Sequence, residues 1–407
     1  MSHTDAGQKP SLLVLASTYP RYVDDPEPGF VHELCKRLAI RFDVTALVPD
    51  APGADPNGTM DGVQVVRYHY APRRLQTLVY NGGIAGNLRR SRWKWLLVPG
   101  FILGQYLAAR RLLKMQKIDV IHAHWLLPQG LIAARLRRLV QCPFVVTSHG
   151  GDLFGLRGAV LTAAKRRVAK ASSAMTVVSS AMRDEARRIG LQPPSLDVVP
   201  MGVDLRHRFV VDPDQKRASD ELLFVGRLVA KKGLCHLLNA LPAVLARRPQ
   251  VTLRIVGFGP EEKALAQQAA ELGIADRIIF AGPTPQHALP ALYRSASLFV
   301  APFIRDDSGN QEGLPVVLME AIGCGCPAVV GNVAGIHDLV GSLADKICVE
   351  PTDHDALANA IVTTLDDPQA AQRRALDVRS AVVSRIDWET IASRYADIIA
   401  STLRVRD

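Results

Sequence analysis

The chain has 407 residues, of which 48% are hydrophobic, 22% charged and 6% aromatic, an ordinary globular composition that excludes a disordered, collagen-like or coiled-coil chain. At about 100–200 residues per domain, it should hold two or three domains. The net charge of +10 comes from 49 Lys and Arg against 39 Asp and Glu, but residues 67–117 alone carry 11 basic and no acidic residues, so the chain is not uniformly basic in the way that points to nucleic acid.

The first apolar run, residues 12–16, is too short for the core of a secretion signal and is predicted to be a strand. Further strands are predicted at 44–48, 63–68, 120–122, 144–147, 175–178 and 198–199, with helices at 30–40, 102–117, 130–140 and 157–170. The basic stretch lies in this half. It combines Arg89, Arg90, Arg92, Lys94, Arg110 and Arg111 with Trp93, Trp95 and the apolar segment 96–103. That mixture points to an anionic membrane surface as a partner. No run reaches the ~18 apolar residues of a membrane span. Residues 207–221 are polar, contain Asp212-Pro213-Asp214, and read as a linker. The alternation then restarts, with strands at 222–225, 251–256, 277–280, 298–301 and 327–330 and helices at 234–246, 261–272, 286–296 and 314–322. Residues 387–403 read as a final amphipathic helix. Apolar strands each followed by a helix give an α/β class with two doubly wound parallel sheets, joined near 203–220. Six scattered cysteines fit reduced thiols in a cytosol.

The chemistry concentrates in the second half. Glu312-Gly313-Leu314-Pro315 opens a predicted helix that carries Glu320 and stops at Gly323. Glutamates eight apart on a helix are about 12 Å apart, which suits two ends of a nucleotide-sugar. It exceeds the about 5–5.5 Å between the carboxylates of a retaining glycosidase. The amides of Gly313 and Leu314 at the helix start favour an anion such as a diphosphate. Just after a strand, Arg227 and Lys232 supply the counter-charge.

With these residues in view, the chain resembles the retaining glycosyltransferases of the GT-B fold, in the large family 4 class of bacterial sugar transferases. Glu312 and Glu320 match that family's E-x7-E pattern, and Gly226, Arg227, Lys232 and Gly233 match its G-R-x4-K-G element. Residues 254–262, with Gly257 and Gly259, match its glycine turn, and residues 199–204 its interdomain segment. The resemblance implies two Rossmann-like domains facing across a cleft. These are an acceptor-side domain of 1–203 plus a returning C-terminal segment 387–407, and a donor domain of 204–386.

The resemblance also implies roles. Arg227 and Lys232 would hold the donor diphosphate, Glu320 the ribose hydroxyls, Glu312 the hydroxyls of the transferred sugar, and Gly313 and Leu314 would offer amides. Gly282, in 282–284, would lie by the base. In the first domain, His149 of Ser148-His149-Gly150-Gly151-Asp152 would sit near the anomeric centre, making His149 and Glu312 the catalytic pair. Asp152 would orient that loop or an acceptor hydroxyl, with His124 as a second acceptor contact. Gly29 would let backbone approach the phosphate, although the family's double glycine is here Pro28-Gly29. The implied mechanism is a front-face reaction with retention. It takes a nucleoside-diphosphate sugar as co-substrate, needs no metal or other cofactor, and uses a glycan or lipid-linked acceptor at the inner face of the cytoplasmic membrane. Competing readings are a sugar-nucleotide epimerase, a phosphorylase, or a non-catalytic glycan-binding relative.

Other motifs have simpler readings. Asp212-Pro213-Asp214 reads as a turn and not a metal motif. His122, His124 and His149 lack a carboxylate or cysteine at ligand spacing. Cys324 and Cys326 read as a small apolar pair, and neither Gly82-Gly83 nor Gly257 with Gly259 makes a dinucleotide fingerprint.

Overall fold

The computed structural model describes residues 9–404 except 24, 26, 28, 81, 82, 308 and 310. Pro28 and Gly82 lie outside the described residues, as do the two chain ends.

The first half supplies β1 (Ser11–Leu15), β2 (Asp43–Pro49), β3 (Gly58–Met60), β4 (Val63–Tyr68), β5 (Val120–His124), β6 (Phe144–Ser148), β7 (Ala174–Val177) and β8 (Leu196–Val198). They form one sheet in the order β3-β4-β2-β1-β5-β6-β7-β8, parallel except for the edge strand β3. The second half supplies β9 (Glu221–Val225), β10 (Thr252–Val256), β11 (Ile278–Gly282), β12 (Leu298–Ala301), β13 (Ala328–Gly331) and β14 (Cys348–Val349). They form a parallel sheet in the order β11-β10-β9-β12-β13-β14.

Near-continuous apolar strands give this result because both faces of each sheet are covered. In the second sheet, Leu223, Val225, Phe299 and Ala301 pack into one core cluster. Their strand neighbours Leu222, Phe224, Leu298 and Val300 pack into the other. The two-residue period of the strand thus divides one apolar run between two cores.

The chain separates into two compact units. The N-terminal unit holds residues 1–178, 182–199 and 391–407, and the C-terminal unit holds 179–181 and 200–390. The expected linker 207–221 lies inside the C-terminal unit, where Leu205 and Phe209 are buried in its core. Arg217 pins it there by donating to the carbonyls of Tyr293, Ala296, Cys324 and Gly325. A run of polar residues therefore conceals an apolar anchor, Phe209, and one capping arginine. The helix Trp388–Arg404 contributes Tyr395, fully buried, whose hydroxyl donates to the carbonyl of Val199.

Each sheet reverses its winding once, between β1 and β5 and between β9 and β12. At such a switch point the loops leaving the strand ends diverge and open a crevice. The loops after β1, β5, β9 and β12 carry Gly29, Trp125, Arg227 and Glu312 respectively.

One expectation about the basic stretch is corrected. The turn Arg92–Leu96 runs on into the helix Leu97–Met115. Together they are long and apolar enough, at a mean hydropathy of 1.2, to pass as a membrane span by length and composition. The packing is that of a surface helix: Leu97, Phe101, Gln105 and Ala109 form a buried stripe at a spacing of four. Gln105 donates to the carbonyls of Ala16 and Leu47, which fixes the helix on the sheet.

Candidate active site

In the C-terminal unit, three loops meet through contacts that only glycine permits. A Cβ on Gly257 (φ +137°) would lie 1.9 Å from the Gly226 carbonyl oxygen, and one on Gly233 (φ +66°) 1.8 Å from that of Pro302. The loops after β9, β10 and β12 are thereby pressed together with no side chain between them. The turn Ala230–Lys232 then directs two ammonium groups onto one carboxylate oxygen. Lys231 Nζ is 3.1 Å and Lys232 Nζ 3.3 Å from Glu312 Oε1. These are charge contacts whose alignment falls short of hydrogen bonding, so Oε1 keeps its acceptor capacity. Burial alone would raise the Glu312 carboxyl, but Lys231 and Lys232 outweigh it and hold the group at about 2. Burial pushes the Lys232 ammonium downward while Glu312 opposes the shift. Lys232 Nζ also sits 4.9 Å from the Phe303 ring centre. The partly exposed Arg227 guanidinium hydrogen-bonds to none of the described residues.

The helix after β12 spans Val316–Gly323 with Pro315 as its cap residue. This corrects the expected start at 314: Pro315 has ψ 104°, outside the helical range, so Glu312, Gly313 and Leu314 all precede the helix. The 12 Å estimate for two glutamates on one helix therefore does not apply. The helix does end at Gly323, as expected, but for another reason. The left-handed residue is Gly325 (φ +62°), whereas Gly323 is a packing glycine whose Cβ would meet Leu205 at 2.4 Å. The Gly313–Leu314 backbone lies against Gly335, where a Cβ would be 2.4 Å from the Gly313 carbonyl oxygen. Glu320, 3% exposed, accepts from the Tyr293 hydroxyl at 3.0 Å and the Gln286 amide at 3.2 Å. Burial pushes its carboxyl up to about 7, against the lowering effect of those two bonds. Gly282 (φ +70°) ends β11 and gives its carbonyl to the amide of Gly257.

In the N-terminal unit, Gly29 precedes the helix Phe30–Leu38 and accepts from the amide of Glu33. His149 follows β6. Its Nε2 is 2.9 Å from His124 Nδ1, and burial pushes His149 down to about 3, so it works as a neutral ring. His124 and Asp152 both support the loop that carries His149, and for Asp152 this is the loop-orienting one of its two expected roles. His124 is completely buried, one strand period beyond the equally buried His122, and its ring positions His149 and touches no solvent. Asp152 is 3% exposed with both oxygens occupied. Oδ1 accepts from Ser148 Oγ and the His149 amide, and Oδ2 from the Leu126 amide. Asp152 thus ties the loop after β5 to the loop after β6. Among the described residues no three His, Cys, Asp or Glu side chains are grouped to hold a metal ion, and Asp212 forms a turn with Asp214.

Two family models match the chain, glycosyltransferase family 4 over residues 30–207 and glycosyl transferases group 1 over residues 210–379. The chain belongs to this family. It is a glycosyltransferase that uses a nucleotide-sugar donor. Among its relatives, a Mycolicibacterium smegmatis GDP-mannose-dependent alpha-(1-6)-phosphatidylinositol monomannoside mannosyltransferase is 29% identical over 73% of this chain and 80% of that protein. A glycogen synthase of Mycobacterium tuberculosis is 28% identical over 97% of this chain and 95% of that protein. The solved sucrose-phosphate synthase of Thermosynechococcus elongatus has the same GT-B fold, with a TM-score of 0.77 and 21% identity over 98% of this chain and all of that one.

The fold of this transferase also brings in groups that sequence reasoning passed over. Lys231 had a signal, its place beside Lys232 in the G-R-x4-K-G element. Tyr293 and Gln286 had none, because they reach Glu320 across 27 and 34 positions from a different helix and loop.

Proposed function

We propose that this protein is a retaining, metal-independent hexosyltransferase. It moves a sugar from a nucleoside-diphosphate donor to a glycan or lipid-linked acceptor at the inner face of an anionic cytoplasmic membrane, in bacterial surface polysaccharide or glycolipid synthesis. The observation that carries the donor side is the convergence of Lys231 and Lys232 on Glu312, with Arg227 beside them, at the switch point of the second sheet. When the bond from the anomeric carbon to the phosphate oxygen breaks, its electron pair leaves with the diphosphate. Arg227, Lys232 and the amides of Gly313 and Leu314 stabilise that growing charge. The acceptor oxygen bonds to the same face of the carbon, and its proton passes to the departing phosphate oxygen. Glu312, held ionised at about 2, accepts hydrogen bonds from sugar hydroxyls and does not shuttle protons.

Glu320 receives the ribose hydroxyls, which gives nucleotide binding a pH dependence. Hydroxyls donate more strongly to the carboxylate than to its protonated form, so nucleoside diphosphate affinity should fall as pH drops below about 7. Calorimetric titration across pH should show this slope, and Glu320→Gln should flatten it. In the free protein the sign is opposite. A carboxyl raised from 4.5 to about 7 contributes most stability below 4.5 and loses it as pH rises through 7.

The membrane reading rests on the outer face of 89–115. Arg89, Arg90, Arg92, Arg110 and Arg111 are exposed there. So are Trp93, Trp95, Leu96, Leu103 and Leu107, with Leu96 at 81%. Lys94 and Arg67 are not part of this face: Lys94 donates to Thr77 and Asn87, and Arg67 is buried on the carbonyls of Pro20 and Asp55. The smegmatis relative, named for a phosphatidylinositol-linked acceptor, supports the same reading. The test is transfer from a panel of nucleotide sugars to glycolipids in anionic vesicles, with the anomeric configuration of the product read by NMR. The expected result is a retained linkage and a rate that falls in neutral vesicles or when Arg89, Arg90 and Arg92 are changed to Glu. Transfer indifferent to lipid charge would remove the membrane claim, and an inverted product would remove the mechanism.

A further inference from the structure

Three rings converge at the switch point of the first sheet. Phe30 opens the helix after β1, Trp125 follows β5 directly, and His149 follows β6. The ring centres of Phe30 and Trp125 lie 5.0 and 4.9 Å from that of His149, and 6.2 Å from each other. All three are half-buried, whereas the tier beneath them, His122 and His124, is wholly buried. This group is therefore the roof of the core and not its interior.

Trp125 holds its place against its own backbone preference. Its φ is +76°, one of three positive values among the described non-glycine residues. A bulky side chain rarely adopts this conformation, and where it persists the surroundings over-determine it. Here they do so from three sides. The Trp125 amide donates to Thr147, its carbonyl accepts from Gly130, and the next amide is held by buried Asp152. Asp152 also holds the amide of His149, so one carboxylate sets the spacing of both ring-bearing loops. Filling a core would not require a half-exposed indole in a strained conformation. Presenting its face at the mouth of a switch-point crevice does require a fixed position.

We propose that Trp125, set edge-to-face with Phe30 and tilted 53° from His149, offers an indole platform on which the acceptor stacks the apolar C–H face of a ring-shaped polyol, a pyranose or cyclitol. Trp125 is then a specificity-determining residue for the acceptor. The assignment to the acceptor rests on the transferase reading above, which gives the donor to the C-terminal unit. An indole face covers the axial C–H groups of a six-membered ring. The hydroxyls project from the ring edge, where they remain free for transfer. An open-chain polyol has no such face to offer.

Two measurements test this. Saturation-transfer NMR uses the full chain without donor, with methyl pyranosides and myo-inositol as probes and sorbitol as the linear control. The expected result is enhancement on ring C–H protons of at least one cyclic probe, none on sorbitol, and its loss in Trp125→Gly. Glycine takes a φ of +76° without strain, so this variant removes the ring while keeping the backbone. Trp125→Phe, which keeps a smaller ring, should restore part of the signal, and Phe30→Ala should weaken it. In transfer assays Trp125→Gly should raise the acceptor KM about tenfold or more and the donor KM less than about twofold. Absence of enhancement with every cyclic probe, or equal enhancement in the wild type and Trp125→Gly, would overturn the platform. Either result leaves the transferase reading standing, since that reading fails only if no sugar passes from a nucleotide sugar to an acceptor.

Discussion

Lys232→Ala is expected to lower turnover by at least about 100-fold, the usual loss when one preorganised stabiliser of transition-state charge is removed. The donor diphosphate gains charge only as the glycosidic bond breaks, so the loss should appear in kcat more than in the donor KM. The fold should tolerate the change, because Lys231 remains 3.1 Å from Glu312 and still neutralises the buried carboxylate. Glu312→Ala is expected to be equally damaging by another route. It removes an acceptor for the sugar hydroxyls and leaves Lys231 and Lys232 facing each other without a counter-charge. Unlike Lys232→Ala, it should also lower the melting temperature, because unpairing buried charges is costly. Steady-state kinetics beside thermal denaturation separates the two variants, and unchanged turnover in either would remove these residues from the site.

Gly257→Ala should cost both activity and stability, although residue 257 need not touch the substrate. The added methyl would lie 1.9 Å from the Gly226 carbonyl oxygen, which is backbone and cannot swing aside. The turn carrying Arg227 must shift, and a shift of about 1 Å in a positioned group can cost roughly 100-fold in rate. Overpacking plus the unfavourable φ of +137° should destabilise the fold by about 3 kcal/mol or more. Gly273→Ala is the matched control. It also has a left-handed φ, +68°, but nothing lies within 4 Å of its added methyl. It should cost about 1 kcal/mol of stability and leave turnover unchanged. Equal effects from the two substitutions would mean that φ alone, and not loop contact, explains the glycine at 257.

The strands were legible because both sheets are covered on both faces, so that runs such as 222–225 and 298–301 are uninterrupted apolar residues. Arg227, Lys232, Glu312 and Glu320 stood out in the sequence by their spacing, the first three in loops after strands and Glu320 in the helix that follows. What stayed hidden depends on contacts between distant segments. Nothing local indicates that Tyr293 serves Glu320, that His124 is a support for His149, or that Phe209 makes a polar linker part of a core. The helix start misled for a different reason. Proline suits both the first helical residue and the cap, and only the backbone angle at Pro315 separates the two.

The most direct test of the diphosphate cradle is a calorimetric comparison of nucleoside diphosphate with the monophosphate of the same base, in the wild-type protein and in Lys232→Ala. The cradle predicts that the wild type prefers the diphosphate by about tenfold or more, and that Lys232→Ala erases most of this preference while the monophosphate binds nearly as before. If the two nucleotides bound the wild type equally, or if the preference survived without Lys232, the phosphate would be held elsewhere and the proposed site would be wrong.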